Sequence, residues 1–187
     1  MEHMFLQVYC DTSSLFSNAN RHRQPASQNE ASAINSLLQY HRRRKMTLSR
    51  SNIALRELER TRDPIQKDAL LHDFLELVPI ANDEKVLGFD CIQTDLFGGH
   101  ITNPLVSDVQ DENLLRRLEA LGLPKQDAQH LAQAISNGVD VFLTRDDEHF
   151  LSKREIFEQQ FGIEIRLPSE MLAELPLRLG RRNQRKD

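Results

Sequence analysis

At 187 residues the chain is long enough for one compact domain with a sizeable core, and its net charge of −4 argues against a protein that wraps nucleic acid by bulk electrostatics. Apolar residues make up 39% and charged residues 28%, an ordinary globular balance, and no apolar run approaches the roughly 20 residues that span a bilayer. The opening MEHMFLQVYCD has no basic n-region or cleavage site, and Cys10 and Cys91 make no metal-ligand spacing, so reduced, buried thiols in a cytoplasmic protein are expected.

Phe5 to Asp11 (FLQVYCD) is a short apolar run that stops at an acid and then Thr-Ser-Ser, which predicts a buried strand. Residues 12–29 are polar and predict a loop with at most one helical turn. From Glu30 to Arg44, Ala33, Ile34, Leu37, Leu38 and His41 recur at three- and four-residue steps, the period of an amphipathic helix. Met46 to Ser49 predicts a second strand. Ser51 reads as the N-cap of a helix carrying Ile53, Ala54 and Leu58. Asp63-Pro64 opens another helix, with Leu70, Leu71, Phe74 and Leu75 on its later turns. Leu77 to Ile80 predicts a third strand.

Residues 81–111 show no sustained period and receive no assignment; Asp90, Asp95, Asp108 and Asp111 there read as surface or capping acids. Beyond them, Leu114, Leu115, Leu118 and Leu121 predict a helix ending at Gly122. Gln126 to Asn137 predicts the next, with Gly138 as its terminating glycine. Val139–Thr144 and Ile163–Leu167 predict two further strands. Strands alternating with helices predict an α/β fold whose mostly parallel sheet is covered on both faces. One domain is expected over 1–175, with 176–187 as a flexible basic tail.

In open parallel sheets the active crevice lies at the carboxyl ends of the strands. Asp11 ends the first predicted strand, and Asp146 follows the Val139–Leu143 run after Thr144. Asp127 falls on the inward side of a helix's first turn, and Glu57 shares an apolar face with Ile53. A carboxylate on an apolar face is expensive unless it is paired or coordinates a cation. Four converging acids with no fixed basic partner point to a hard divalent ion, Mg²⁺ or Mn²⁺. Taken singly, each acid also reads as a cap, a first-turn acid, a surface pair or a turn residue. His130, three residues after Asp127, is placed on a different face, and His149 stands near the site without further support. The run Arg42, Arg43, Arg44 and Lys45 reads either as a solvated helix end or as a phosphate-contacting rim around an acidic site.

VYCDTSSL, SNIALREL, QDAQHLAQAISNGVDVFLTRD and the closing strand together resemble the PIN-domain nucleases, a group that includes VapC-type toxins. The resemblance runs from about Leu6 to Leu172. It implies a three-layer α/β/α sandwich and hydrolysis of RNA phosphodiesters by acids that bind Mg²⁺ or Mn²⁺. Carried over by position, Asp11, Glu57, Asp127 and Asp146 take the catalytic roles, and Asp11, Asp127 and Asp146 the metal. Thr144 supports them. Asp147 stands as the alternative fourth acid, because His149 and Phe150 follow later than the family's final aromatic does. The implied partners are an RNA substrate, an antitoxin protein in the case of a toxin, and a second copy in a homodimer, with no membrane. The rival reading is a PIN-like module that binds RNA or protein without cutting.

Overall fold

The computed structural model describes residues 5–19, 25–60, 62–80, 84–89, 93–94, 100–101, 104–108 and 111–184. In chain order the elements begin with β1 (Leu6–Cys10), α1 (Thr12–Ala19), α2 (Pro25–Arg42) and β2 (Met46–Arg50). Next come α3 (Asn52–Glu59), α4 (Pro64–Glu76) and β3 (Val78–Pro79). Within 81–111 lie β4 (Glu84–Phe89), β5 (Gln93–Thr94), β6 (His100–Ile101) and β7 (Pro104–Asp108), as two antiparallel pairs, β4 with β7 and β5 with β6. The last third holds α5 (Glu112–Ala120), α6 (Lys125–Ser136), β8 (Val141–Leu143), α7 (Arg154–Phe161), β9 (Glu164–Arg166) and α8 (Pro168–Gln184).

The main sheet is five-stranded and parallel, in the order β3-β2-β1-β8-β9. Side-chain alternation along β1 decides its two faces. Leu6, Val8 and Cys10 join one core with Ile34, Leu37 and Leu38 of α2, Phe74 of α4 and Met171 and Leu175 of α8. Tyr9 turns the other way, into a second core with Leu118, Leu131, Phe142 and Phe157. The fold is therefore a three-layer α/β/α sandwich. In the second core Tyr9 stacks on Phe142 with centroids 5.1 Å apart, and Phe150 follows at 4.9 Å from Phe142. Each such aromatic pair contributes about 0.5–1.5 kcal/mol beyond its burial.

Two expectations are corrected. Residues 12–29 are not chiefly loop: α1 starts directly after Asp11, because Leu15 is buried and Asp11 accepts hydrogen bonds from the start of the helix. Thr12 and Ser13, which read as turn formers, use their hydroxyls elsewhere, Thr12 on Glu57 and Ser13 on Asp11. Likewise 176–184 continue α8, where Arg178 donates to Glu164 of β9 and to Glu174 one turn back, 3.0 Å in each case. Arg185 and Lys186 lie outside the described residues, as do Asp90, Cys91 and Asp95. Asp111 caps α5 as expected, accepting from Asn113 N and Leu114 N. Gly138, with φ of +64°, ends α6 in the left-handed region where a side chain would be strained.

From β1 the chain builds β2 and β3 on one side and β8 and β9 on the other. That reversal is the switch point at which parallel sheets open a crevice beyond their carboxyl ends.

Candidate active site

Asp11 and Thr144 stand on the two sides of this switch point, one residue past β1 and one past β8. The ladder extends by one bond beyond β1, Asp11 N donating to Leu143 O at 3.0 Å, which seats the acid at the lip of the crevice. Asp11 is buried. Its Oδ1 accepts from Thr12 N at 2.8 Å, and its Oδ2 from the hydroxyls of Ser13 at 2.6 Å and Thr144 at 3.0 Å. The Thr144 hydroxyl also accepts from Asp146 N at 3.1 Å, and Ser13 Oγ from Arg145 N at 3.0 Å. The α1 start and the β8 end are thus tied by two hydroxyls that fix the carboxylate's direction.

Glu57 reaches the crevice from α3, held at its start by the Ser51 cap on Ala54 N. Its Oε1 is 2.9 Å from Nε2 of His130 and also accepts from Gln126; its Oε2 accepts from Thr12 Oγ1. His130 is buried, and its Nδ1 lies 2.6 Å from the Tyr9 hydroxyl, which is 2.6 Å from Ser51 Oγ. A continuous wire therefore runs Ser51–Tyr9–His130–Glu57. Burial raises the Glu57 pKa, but the bonds from His130, Thr12 and Gln126 outweigh it and hold the group below its usual value. Burial likewise works against a charged His130, yet Glu57 and the nearby Asp11 and Asp127 charges carry its pKa above the ordinary one. Desolvation, aided by Asp11, pushes the buried Cys10 thiol up to about 12.

Asp127 and Asp146 have different surroundings. Nδ1 of His149 is 2.8 Å from Asp146 Oδ2 and 3.3 Å from Asp127 Oδ2, so two carboxylates converge on one nitrogen. Ligand atoms of Asp127, Asp146 and His149 all lie within 4.8 Å of one another. All three side chains are part-exposed. Burial, then Asp11, with Asp146 adding to it, raises the Asp127 pKa against the smaller opposing pull of His149. Burial is thus the main cause, and the neighbouring carboxylates add to it.

The structure thus gathers Asp11, Glu57, Asp127, Asp146 and Thr144 around the crevice. It does not bring Asp147 in: that residue is exposed, and its carbonyl accepts from Ser152 N in the turn toward α7. Nor does it place Arg42, Arg43, Arg44 and Lys45 as a rim. They precede β2 and so lie at the amino ends of the strands, opposite the acids, with Arg42 paired to Glu76 at 2.6 Å. His130, which the sequence sets on another helix face, is the residue that reading misses. The available signal was the four-residue step from Gln126, which lets both side chains reach Glu57. His149 also gains a place, between the two exposed acids.

Comparison with protein-family models finds no match, and no curated protein matches the chain. Among the described residues no helix is long and apolar enough to cross a membrane.

Proposed function

We propose that this chain is a metal-dependent endoribonuclease of the PIN type. The observation that carries the reading is the convergence of Asp127 and Asp146 beside Asp11, where the partners of the carboxylates are hydroxyls, backbone N–H groups and imidazoles. The donor set fits the ion such a nuclease needs. It is oxygen-rich, as Mg²⁺ and Mn²⁺ prefer, and a cation would offset both the burial of Asp127 and the charges of Asp11 and Asp146 that raise its pKa. Asp127 and Asp146 would hold it, with Asp11 alongside through Oδ1, which accepts one bond and keeps a lone pair, whereas Oδ2 already accepts two. A divalent ion held there would supply a water of lowered pKa and would offset charge on the phosphate oxygens.

The protein's own part is orientation. Ser13 and Thr144 fix Asp11, and His149 spaces Asp127 from Asp146. Glu57, committed to His130, Thr12 and Gln126, acts as a wall of the crevice that positions Thr12 beside Asp11. The test is digestion of a pool of cellular RNAs in millimolar Mn²⁺ by wild type, Asp11→Asn and Asp127→Asn. Each substitution should lower the rate on the order of 10³-fold, since several kcal/mol of charge stabilisation go with the ligand. Undiminished cleavage by both variants would sink the mechanism. RNA binding with no cleavage by any form would turn the reading to a binding module.

A further inference from the structure

A second feature opens beside the acids, on the far side of Glu57. Between α3 and the first turns of α6 lies a cleft of about 280 Å³, lined by Ile53, Glu57, Arg60, Lys125, Gln126 and Gln129. It falls just below the ~300–1,000 Å³ range of small-molecule pockets, which suits a single small unit and not a folded segment. The chemistry of its walls is mixed in a specific way. Arg60 and Lys125 bring two exposed cations, and neither is held by a carboxylate among the described residues. Ile53 supplies a buried apolar surface, and Gln126 and Gln129 supply amides. Glu57 is the one anion, and its oxygens are already taken by His130, Thr12 and Gln126.

Two cations, an apolar wall and amides answer the three parts of a nucleotide: phosphate, base face and base edge. Its position supplies the context, because Glu57 both lines this cleft and accepts from Thr12, the residue next to Asp11. We propose that the cleft is a nucleotide subsite for single-stranded RNA, seating the unit next to the scissile phosphate, with Arg60 and Lys125 gripping that unit's own phosphate. The inference rests on the nuclease reading for the word scissile, but the binding it describes stands apart from cleavage. It also explains how a chain of net charge −4 holds a polyanion: the positive groups are local to the groove.

The test measures anisotropy of a labelled ten-nucleotide single-stranded RNA in EDTA, which stops hydrolysis, and then steady-state cleavage of the same RNA in Mn²⁺. The proteins are wild type, Arg60→Ala, Lys125→Ala, the double variant, and Arg43→Ala at the opposite end of the sheet. Each cleft substitution should weaken binding roughly tenfold, the loss of one charge-assisted contact. Each should also reduce the slope of log affinity against log salt by about 0.7. In Mn²⁺ the same variants should raise KM by a similar factor, with kcat within about twofold. Arg43→Ala should match wild type throughout. Absence of RNA binding by wild type overturns the subsite, as does a double variant that binds within about twofold of wild type, or an Arg43→Ala loss as large as the double variant's. If wild type binds through Arg60 and Lys125 yet cuts nothing, the subsite stands and the nuclease reading fails. If wild type cuts and the double variant is unchanged, the nuclease reading stands and the subsite fails.

Discussion

The two halves of the crevice differ in how completely their charges are answered. On the α3 side, both Glu57 oxygens are bonded, and His130 uses both ring nitrogens. On the β8 side, Asp127 and Asp146 share one imidazole, and Asp127 is repelled by both Asp146 and Asp11. The first half is finished by folding and resists change. The second keeps repulsion that His149 relieves only in part, so it is the half a bound cation would change. A site of this kind is rigid where it orients and strained where it binds.

The largest effect should come from breaking the finished half. His130→Leu removes a buried partner from both Glu57 and Tyr9 and should destabilise the fold by about 3 kcal/mol, roughly 6–12 °C in Tm for a chain of this size. The pH dependence sharpens the point. Because the His130 pKa is raised, its contribution is complete below about 6.5 and is lost as pH rises through the folded value. The Glu57 pKa is lowered, so its contribution is present above about 4.5 and is lost as pH falls through the folded value. Thermal melts should show wild type losing stability as pH rises above about 6.5, with the variant losing less there because, among the described histidines, only the raised His149 remains. Equal slopes for both would remove His130 from the account.

An intermediate effect should follow from loosening the tie between the halves. Thr144→Val deletes the hydroxyl shared by Asp11 and Asp146 N, and should lower Mn²⁺-dependent cleavage about 10–100-fold, as loss of a group that orients metal ligands does. A rate within a factor of two would show that Ser13 alone suffices to aim Asp11. The smallest effect should have the opposite sign. Asp127→Asn relieves repulsion in the unfinished half, so without metal its Tm should rise by roughly 2 °C even as cleavage disappears. A fall in Tm would mean that Asp127 is already compensated and that the contrast between the halves is wrong.

How far the sequence could be read follows the same division. Asp11 and Asp146 were accessible because β1 and β8 are short apolar runs with acids just past their ends, and the parallel sheet follows from alternating periods. Asp127 was accessible from the face of α6. The Glu57–His130 bond was not, since its partners are 73 positions apart and meet only through the packing of α3 against α6. The hydroxyls of Thr12 and Ser13 misled for a related reason: they look like loop chemistry until Glu57 and Asp11 are seen to take them. The basic run at 42–45 could not be placed without knowing that the turn it occupies enters β2 from the end opposite the acids.

The bond from Thr144 to Asp11 joins residues 133 positions apart. Since β8 is an inner neighbour of β1, a chain emerging from its amino terminus shows β1 with one bare edge until the last third has been made. At ordinary elongation speeds that interval is on the order of ten seconds, long enough for an apolar edge such as Val8–Tyr9–Cys10 to attract other strands. The same delay governs the acidic centre, which cannot assemble until Asp146 has been made and β8 has joined β1.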